Sequence, residues 1–166
     1  MISRCADGDF DQVLSVINDA AEAYRGVIPD DCFAEPYMSA DHLRGEIASG
    51  VEFWGFEHGG GVVGVMGIQE LGEVTLIRHA YTRTAHRNRG IGGALVAHLK
   101  GLATAPMLVG TWAAAVWAIR FYESHGFRLV TPEEKDRLLS EYWSISKRQI
   151  ETSVVLTDAA YLAGRR

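Results

Sequence analysis

The segment Arg87-Asn88-Arg89-Gly90-Ile91-Gly92-Gly93 restricts what this chain can fold into more than any other stretch. It stands between a run from Glu73 to Arg83 with strand composition and a run carrying Ala94, Leu95, Val96, Leu99 and Leu102 at helical spacing. A glycine-rich turn from strand to helix leaves the first backbone N–H groups of the helix unpaired, with the positive end of the helix dipole behind them. Such a terminus binds phosphate. Glycines at 90, 92 and 93 let the backbone approach a pyrophosphate without a Cβ in the way, and Arg87 and Arg89 offer charge-assisted contacts.

The charge pattern agrees. Between Val74 and Tyr122 there are six Lys or Arg and no Asp or Glu, in a chain whose net charge is −5. A local basic segment in an acidic chain points to an anionic small molecule, because a nucleic-acid binder is basic over a broader face. No Gly-Lys-Ser or Gly-Lys-Thr occurs, which excludes a Walker loop. The dinucleotide fingerprint fails as well, since Leu95 stands where a small residue is required and no acid follows before Glu123.

Around this segment the chain reads as mixed α/β. Ile2 to Cys5 forms a short strand, and Asp7 or Asp9 caps a helix with Phe10, Val13, Leu14, Ile17 and Ala21 on one face. Tyr24 to Ser39 is a structured connection, after which Ser39 caps a helix that ends at Gly50. Val51 to Glu57, Val62 to Leu71 and Glu73 to Arg83 are closely spaced strands, hence antiparallel hairpins. Past the glycine segment and its helix come a strand at Met107 to Trp112, a helix from about Ala115 to Ser124, and a strand at Phe127 to Val130. Thr131-Pro132-Glu133-Glu134 starts a short helix to Leu139, and Thr152 to Leu156 is a last strand. One domain over residues 1–157 is expected, with 158–166 a partly disordered tail.

With 48% hydrophobic and 22% charged residues the chain is able to bury a core, so disorder is excluded. No apolar run approaches a membrane span, and Asp7, Asp9, Asp11 and Asp19 near the start oppose a secretory signal, so a cytoplasmic protein without membrane contact is expected. Cys5 and Cys32 lack CxxC spacing, and the six histidines show neither HxH nor HExxH, so no metal site is expected.

Arg87, Gly90 and Gly92 match the pyrophosphate loop of the GCN5-related N-acetyltransferase (GNAT) family, which reads Arg or Gln, two residues, Gly, one residue, Gly or Ala. A second family block, Ala-x-x-Phe-Tyr-x-x-x-Gly-Phe, is met by Ala118, Phe121, Tyr122, Gly126 and Phe127. The chain therefore resembles that family from Ile2 to Leu156, with some similarity to phosphinothricin-type acetyltransferases. The resemblance implies a mixed, mostly antiparallel seven-stranded sheet flanked by helices and splayed centrally, with acetyl-CoA in the cleft. It implies cofactor contacts from Ala80, Tyr81 and Thr82 of the fourth strand, from Arg87 through Gly93, and at Ala115. Two positions depart from the pattern: Ala115 stands where Asn often meets the pantetheine arm, and Thr84 where proline commonly follows the fourth strand, which should loosen the approach to the loop.

What the resemblance implies chemically is acetyl transfer from acetyl-CoA to a primary amine. Tyr122 is the candidate to protonate the departing thiolate, its phenol being protonated at neutral pH. A backbone N–H near Ala80 and Tyr81 would stabilise the developing oxyanion. Glu70, Glu73 and His79 are candidate bases; His79 has the most suitable reference pKa and is read as sharing a strand face with Ile77 and Tyr81. Tyr24, Arg25, Glu35, Tyr37 and Arg78 are the candidate acceptor contacts, with Glu35 attracting an amine and Arg25 or Arg78 a carboxylate, so a small amino-acid-like amine is expected. A binding module that holds acyl-CoA without turnover is the alternative. The family likeness also implies a homodimer, and Tyr142, Trp143, Ile145 and Ile150 are more apolar than one short helix and an edge strand require.

Overall fold

Seven strands form one sheet: Ile2–Arg4 (β1), Glu52–His58 (β2), Gly61–Glu70 (β3), Thr75–Thr82 (β4), Met107–Trp112 (β5), Arg128–Leu129 (β6) and Ser153–Thr157 (β7), in the order β1-β2-β3-β4-β5-β7-β6. They belong to a computed structural model that describes residues 1–164. Neighbours are antiparallel except β4 and β5. That parallel pair requires a crossover, and the helix Ile91–Leu102 supplies it. Numbered in chain order the helices are α1 (Phe10–Ala21), α2 (Ala40–Ala48), α3 (Ile91–Leu102), α4 (Val116–Ser124), α5 (Pro132–Tyr142), α6 (Lys147–Glu151) and α7 (Ala159–Ala163). This is the mixed, mostly antiparallel sheet that the sequence led us to expect.

Alternating side chains sort the core onto the two faces of the sheet. On one face Met66, Ile77, Val109 and Leu156 pack against Ile91, Leu95 and Leu99 of α3 and Tyr122 of α4. On the other, Val51, Phe53, Val62 and Val65 meet Val13, Val16 and Ile17 of α1 and Leu43 of α2. Farther along that second face Leu76, Leu108 and Val155 meet Leu138 and Leu139 of α5.

Ser39 and Thr131 cap their helices as expected, accepting from His42 N at 3.0 Å and Glu134 N at 3.2 Å. Asp9 stands at the N-cap position of α1, but its side chain makes no cap hydrogen bond to the helix. Asp7 and Asp9 lie in a 3₁₀ turn before it, and the Asp9 carboxylate accepts from Ala6 N at 2.8 Å. Helix α5 runs on past Leu139 to Tyr142, and the unexpected α6 is capped by Ser146, whose hydroxyl accepts from Gln149 N. Within the tail, residues 159–163 form α7, which Asp158 caps through Tyr161 N, and Tyr161 packs on the α5 cluster. Residues 165 and 166 lie outside the described residues.

The feature that positions the site is a division of the sheet. Strands β4 and β5 pair only through Thr75–Met107, Leu76–Leu108 and Ile77–Val109. Beyond Ile77, β4 stays with β3 while β5 stays with β7, so the central sheet splays and opens a cleft.

Candidate active site

Two adjoining cavities occupy the splay. The outer, about 570 Å³, lies between the end of β4 and the starts of α3 and α4. The inner, about 310 Å³, lies against the connection after α1. Tyr24, Ala80, Tyr81, Ala118 and Tyr122 line both and form their junction.

Thr82, Arg87, Asn88, Gly90, Ile91, Gly92 and Gly93 line the outer cavity, while Arg89 lines neither. Gly90 precedes α3 with φ +78°, a left-handed conformation that only glycine adopts cheaply, and a Cβ there would meet nothing within 4 Å. Its requirement is conformational. Gly92 and Gly93 are glycines for another reason: a Cβ would lie 3.1 Å from the Phe121 ring in one case and 3.0 Å from His125 Cε1 in the other. They allow α3 to approach α4. The anticipated loosening at Thr84 is not found, because its N–H donates to Asp19 Oδ2 at 2.7 Å and fastens the loop to α1. A proline would lack that donor.

The base candidates separate clearly. Glu70 accepts from the Thr75 and Thr104 hydroxyls, Glu73 accepts from Tyr142 Oη, and neither lines a cavity. His79 lines the inner one. It owes its position to a bulge, since Gly67 pairs with Arg78 and Val65 with Tyr81, leaving His79 and Ala80 opposite Met66 alone. The bulge puts His79 at φ +55° and brings the Arg78 carbonyl so close to Gly67 that a Cβ there would lie 2.7 Å from it. Alternation is reset as a result. Ile77 and Ala80 face α3, whereas Arg78, His79 and Tyr81 face α1 and α2, so His79 does not share a face with Ile77.

Facing this bulge from α2 is Glu46, which sequence reasoning missed. Its carboxylate accepts from Arg78 Nη2 at 2.8 Å, lies 3.2 Å from His79 Nε2 and 3.1 Å from His42 Nε2, and is only 14% exposed. Although burial opposes its charge, these partners hold its pKa down at about 2. Burial pushes the His79 pKa down, against the pull of Glu46 in the other direction, so the imidazole is neutral at pH 7. The Arg78 guanidinium also donates to Gln69 Oε1 at 3.0 Å.

Aromatic side chains wall the inner cavity. Tyr24 lies 5.5 Å from Tyr37 and 6.2 Å from Tyr81, centroid to centroid, and Trp112 Nε1 donates to Tyr37 Oη at 2.8 Å. Of the charged acceptor candidates only Arg78 is at the cavity. Arg25 and Glu35 are exposed, pair with each other at 2.6 Å and line neither space. Ala115 is also displaced from its expected role: it is fully buried, packs with Ile28 and Trp112, and lines neither cavity. Tyr122 reaches both, seated between the rings of Phe121 and Phe127, and burial raises its phenol well above the usual range. Trp143 lines the inner cavity and, with Tyr142, Ile145 and Ile150, packs on the α5 cluster of its own chain. The apolar surplus read as an interface is thus used internally. Among the described residues no group of three or more His, Cys, Asp or Glu is arranged to hold a metal, and no helix is long and apolar enough to cross a membrane.

Comparison with known proteins agrees with this geometry. Residues 49–129 match the model of the acetyltransferase (GNAT) domain. No curated protein matches the chain. Among solved structures, the PaiA N-acetyltransferase of Thermoplasma acidophilum, crystallised in complex with coenzyme A, superposes with a TM-score of 0.72 at 13% identity, over 95% of this chain and 97% of that one. A GNAT-family acetyltransferase of Staphylococcus aureus gives 0.70 at 17% identity, with the same coverage. One from Elizabethkingia anophelis, with acetyl-CoA bound, gives 0.62 at 17% identity over 95% and 96% of the two chains. The matched stretch runs from the end of α2 to β6 and contains the bulged, splayed β4 and the glycine turn into α3; residues 49–129 thus match a GNAT acetyltransferase domain, and the seven-stranded fold around them is the one those acetyltransferases share.

Proposed function

We propose that this protein transfers the acetyl group of acetyl-CoA to the primary amine of a small molecule. The observation that carries the proposal is the opening of the α3 N-terminus, with its left-handed Gly90, onto a cleft that leads without interruption to Tyr122 and His79. Acetyl-CoA suits that cleft. Arg87, Asn88 and the backbone from Gly90 to Gly93 would hold its pyrophosphate, and the β4 edge at Ala80, Tyr81 and Thr82, without a strand partner on its β5 side, would hold the pantetheine arm.

The residues divide the chemistry among them. His79, neutral at pH 7, takes a proton from the amine as its nitrogen forms the new C–N bond. Backbone N–H groups near Ala80 and Tyr81 stabilise the negative charge that develops on the acyl oxygen. Tyr122 gives its proton to the sulfur as the C–S bond breaks, so an amide and a free thiol result. Arg78 retains unused N–H groups that suit a carboxylate, which supports an amino-acid-like acceptor. The narrower likeness to phosphinothricin-type enzymes rests on overall sequence pattern alone.

Titration calorimetry with acetyl-CoA, followed by a screen of amines for release of CoA thiol, tests the reading. Binding without turnover on any amine would favour a module that only holds acyl-CoA. A cytoplasmic homodimer is carried by the family likeness alone, since Tyr142, Trp143, Ile145 and Ile150 pack within their own chain; a solution mass near that of a single 18.2 kDa chain would end the dimer part.

A further inference from the structure

We infer that the acceptor is a primary amine attached to an aromatic body that carries no second positive charge. The inference rests on the acetyl-transfer reading above and concerns the chemistry of the inner cavity. Six tyrosine and tryptophan rings, those of Tyr24, Tyr37, Tyr81, Trp112, Tyr122 and Trp143, line a space of about 310 Å³. They are held in place before any ligand arrives: Trp112 fixes the Tyr37 hydroxyl, Tyr24 packs against both other tyrosines, and Gly110 leaves room for the Trp143 ring, which would lie 3.4 Å from a Cβ at that position. Preformed flat walls favour a flat apolar body, because neither side loses conformational freedom on contact.

The charges argue in the same direction. None of the described residues lining the cavity is Asp or Glu. Acids that adjoin its lining in the chain are engaged elsewhere, Asp31 with Arg148, Glu35 with Arg25 and Asp41 with Arg44, and Glu46 holds Arg78 and lies beside the two histidines behind the cavity wall. Arg78 is offset by Glu46. A second ammonium group on the acceptor would therefore lose its water without gaining a counter-charge. The reacting amine avoids this penalty because it enters the reaction neutral, beside a neutral His79. At the Trp143 end Gln149 and Ser153 are uncharged and polar, which suits a hydroxyl substituent and not a cation.

The test compares kcat/KM for 2-phenylethylamine and tyramine with kcat/KM for 1,4-diaminobutane and spermidine, with acetyl-CoA affinity measured on the same preparation. The aromatic monoamines are expected to be favoured by roughly 100-fold or more. Gln149→Glu, nearly isosteric and placed in the cavity wall, supplies the missing carboxylate and is expected to raise diamine kcat/KM relative to phenylethylamine by roughly 10-fold. Preference for diamines in the unaltered protein overturns the inference while leaving acetyl transfer intact. So does normal acetyl-CoA binding with no turnover of either aromatic amine. Absence of acetyl-CoA binding overturns the transfer reading itself and the inference with it.

Discussion

His79 turns its Nε2 edge toward Glu46 and lies 3.2 Å from Oε2, although one residue sits on a strand bulge and the other on a helix 33 positions earlier. Both are nearly closed off from solvent, at 14% side-chain exposure. Nε2 is buried without a hydrogen bond of good geometry, so the carboxylate acts on the ring through its negative charge.

That arrangement predicts the acid side of the pH profile. Burial lowers the His79 pKa, so the acid limb of kcat/KM should have its midpoint below the reference value near 6.5. Glu46 raises the His79 pKa, while Arg78 and His42 lower it. Glu46→Gln should therefore move the acid limb further down and also lower kcat, because the imidazole loses its anchor. A limb at or above pH 6.5, or one that Glu46→Gln leaves in place, would remove His79 from the role of base.

Stability should follow the same carboxylate. Glu46 is held at about 2 against 4.5 for an unperturbed glutamate, so its contribution is complete above about pH 4.5 and is lost as pH falls toward 2. In Glu46→Gln that pH dependence should flatten, and unfolding at neutral pH should become easier by roughly 3 kcal/mol, since Arg78 loses its buried counter-charge. Urea titrations of both proteins at pH 3 and pH 7 measure the two effects together. Equal slopes with pH would contradict the assignment.

Two substitutions near the glycine turn should behave differently. Arg87→Ala removes a charge at the outer cavity from an exposed side chain, so acetyl-CoA should bind more weakly by roughly 10-fold or more while the melting temperature stays unchanged. Gly92→Val should lose roughly 1–3 kcal/mol of stability, because its Cβ already meets Phe121 at 3.1 Å. Calorimetry paired with thermal unfolding separates these outcomes. A stable Gly92→Val protein would show that α3 and α4 can part.

Tyr122→Phe keeps the ring between Phe121 and Phe127 and removes only the hydroxyl. With protonation of the thiolate limiting, kcat should fall by roughly 10- to 10⁴-fold while acetyl-CoA affinity is nearly unaltered. Full turnover in the variant would leave Tyr122 as packing alone.

The parts of the fold that were legible in the sequence are those with local signatures. Hydrophobic period, the Ser39 and Thr131 caps and the glycine turn place nearly every element within a few residues. The bulge at His79 was invisible, because one inserted residue changes no apolar pattern until pairing with Gly67 and Val65 exposes it. Glu46 escaped for a related reason: it meets Arg78 across 32 residues, and no periodicity marks an acid on a helix as facing inward. Glu35 misled because a charge in a loop before an aromatic stretch looks the same in sequence whether or not a surface arginine neutralises it. Helix α7 in the tail was not foreseen, because Asp158 and Tyr161 together make a cap and an anchor that composition alone does not reveal.

The glycine pair at 92 and 93 has a mechanical meaning as well. Two absent methyl groups bring the first turn of α3 against Phe121 and His125, at and just beyond the end of α4, with no spare clearance. The helix that offers its N-terminus to an anion and the helix that carries Tyr122 are therefore geared to each other. A displacement of the first turn of α3 toward α4 would press on Phe121 and His125, and through Phe121 on the helix that carries Tyr122.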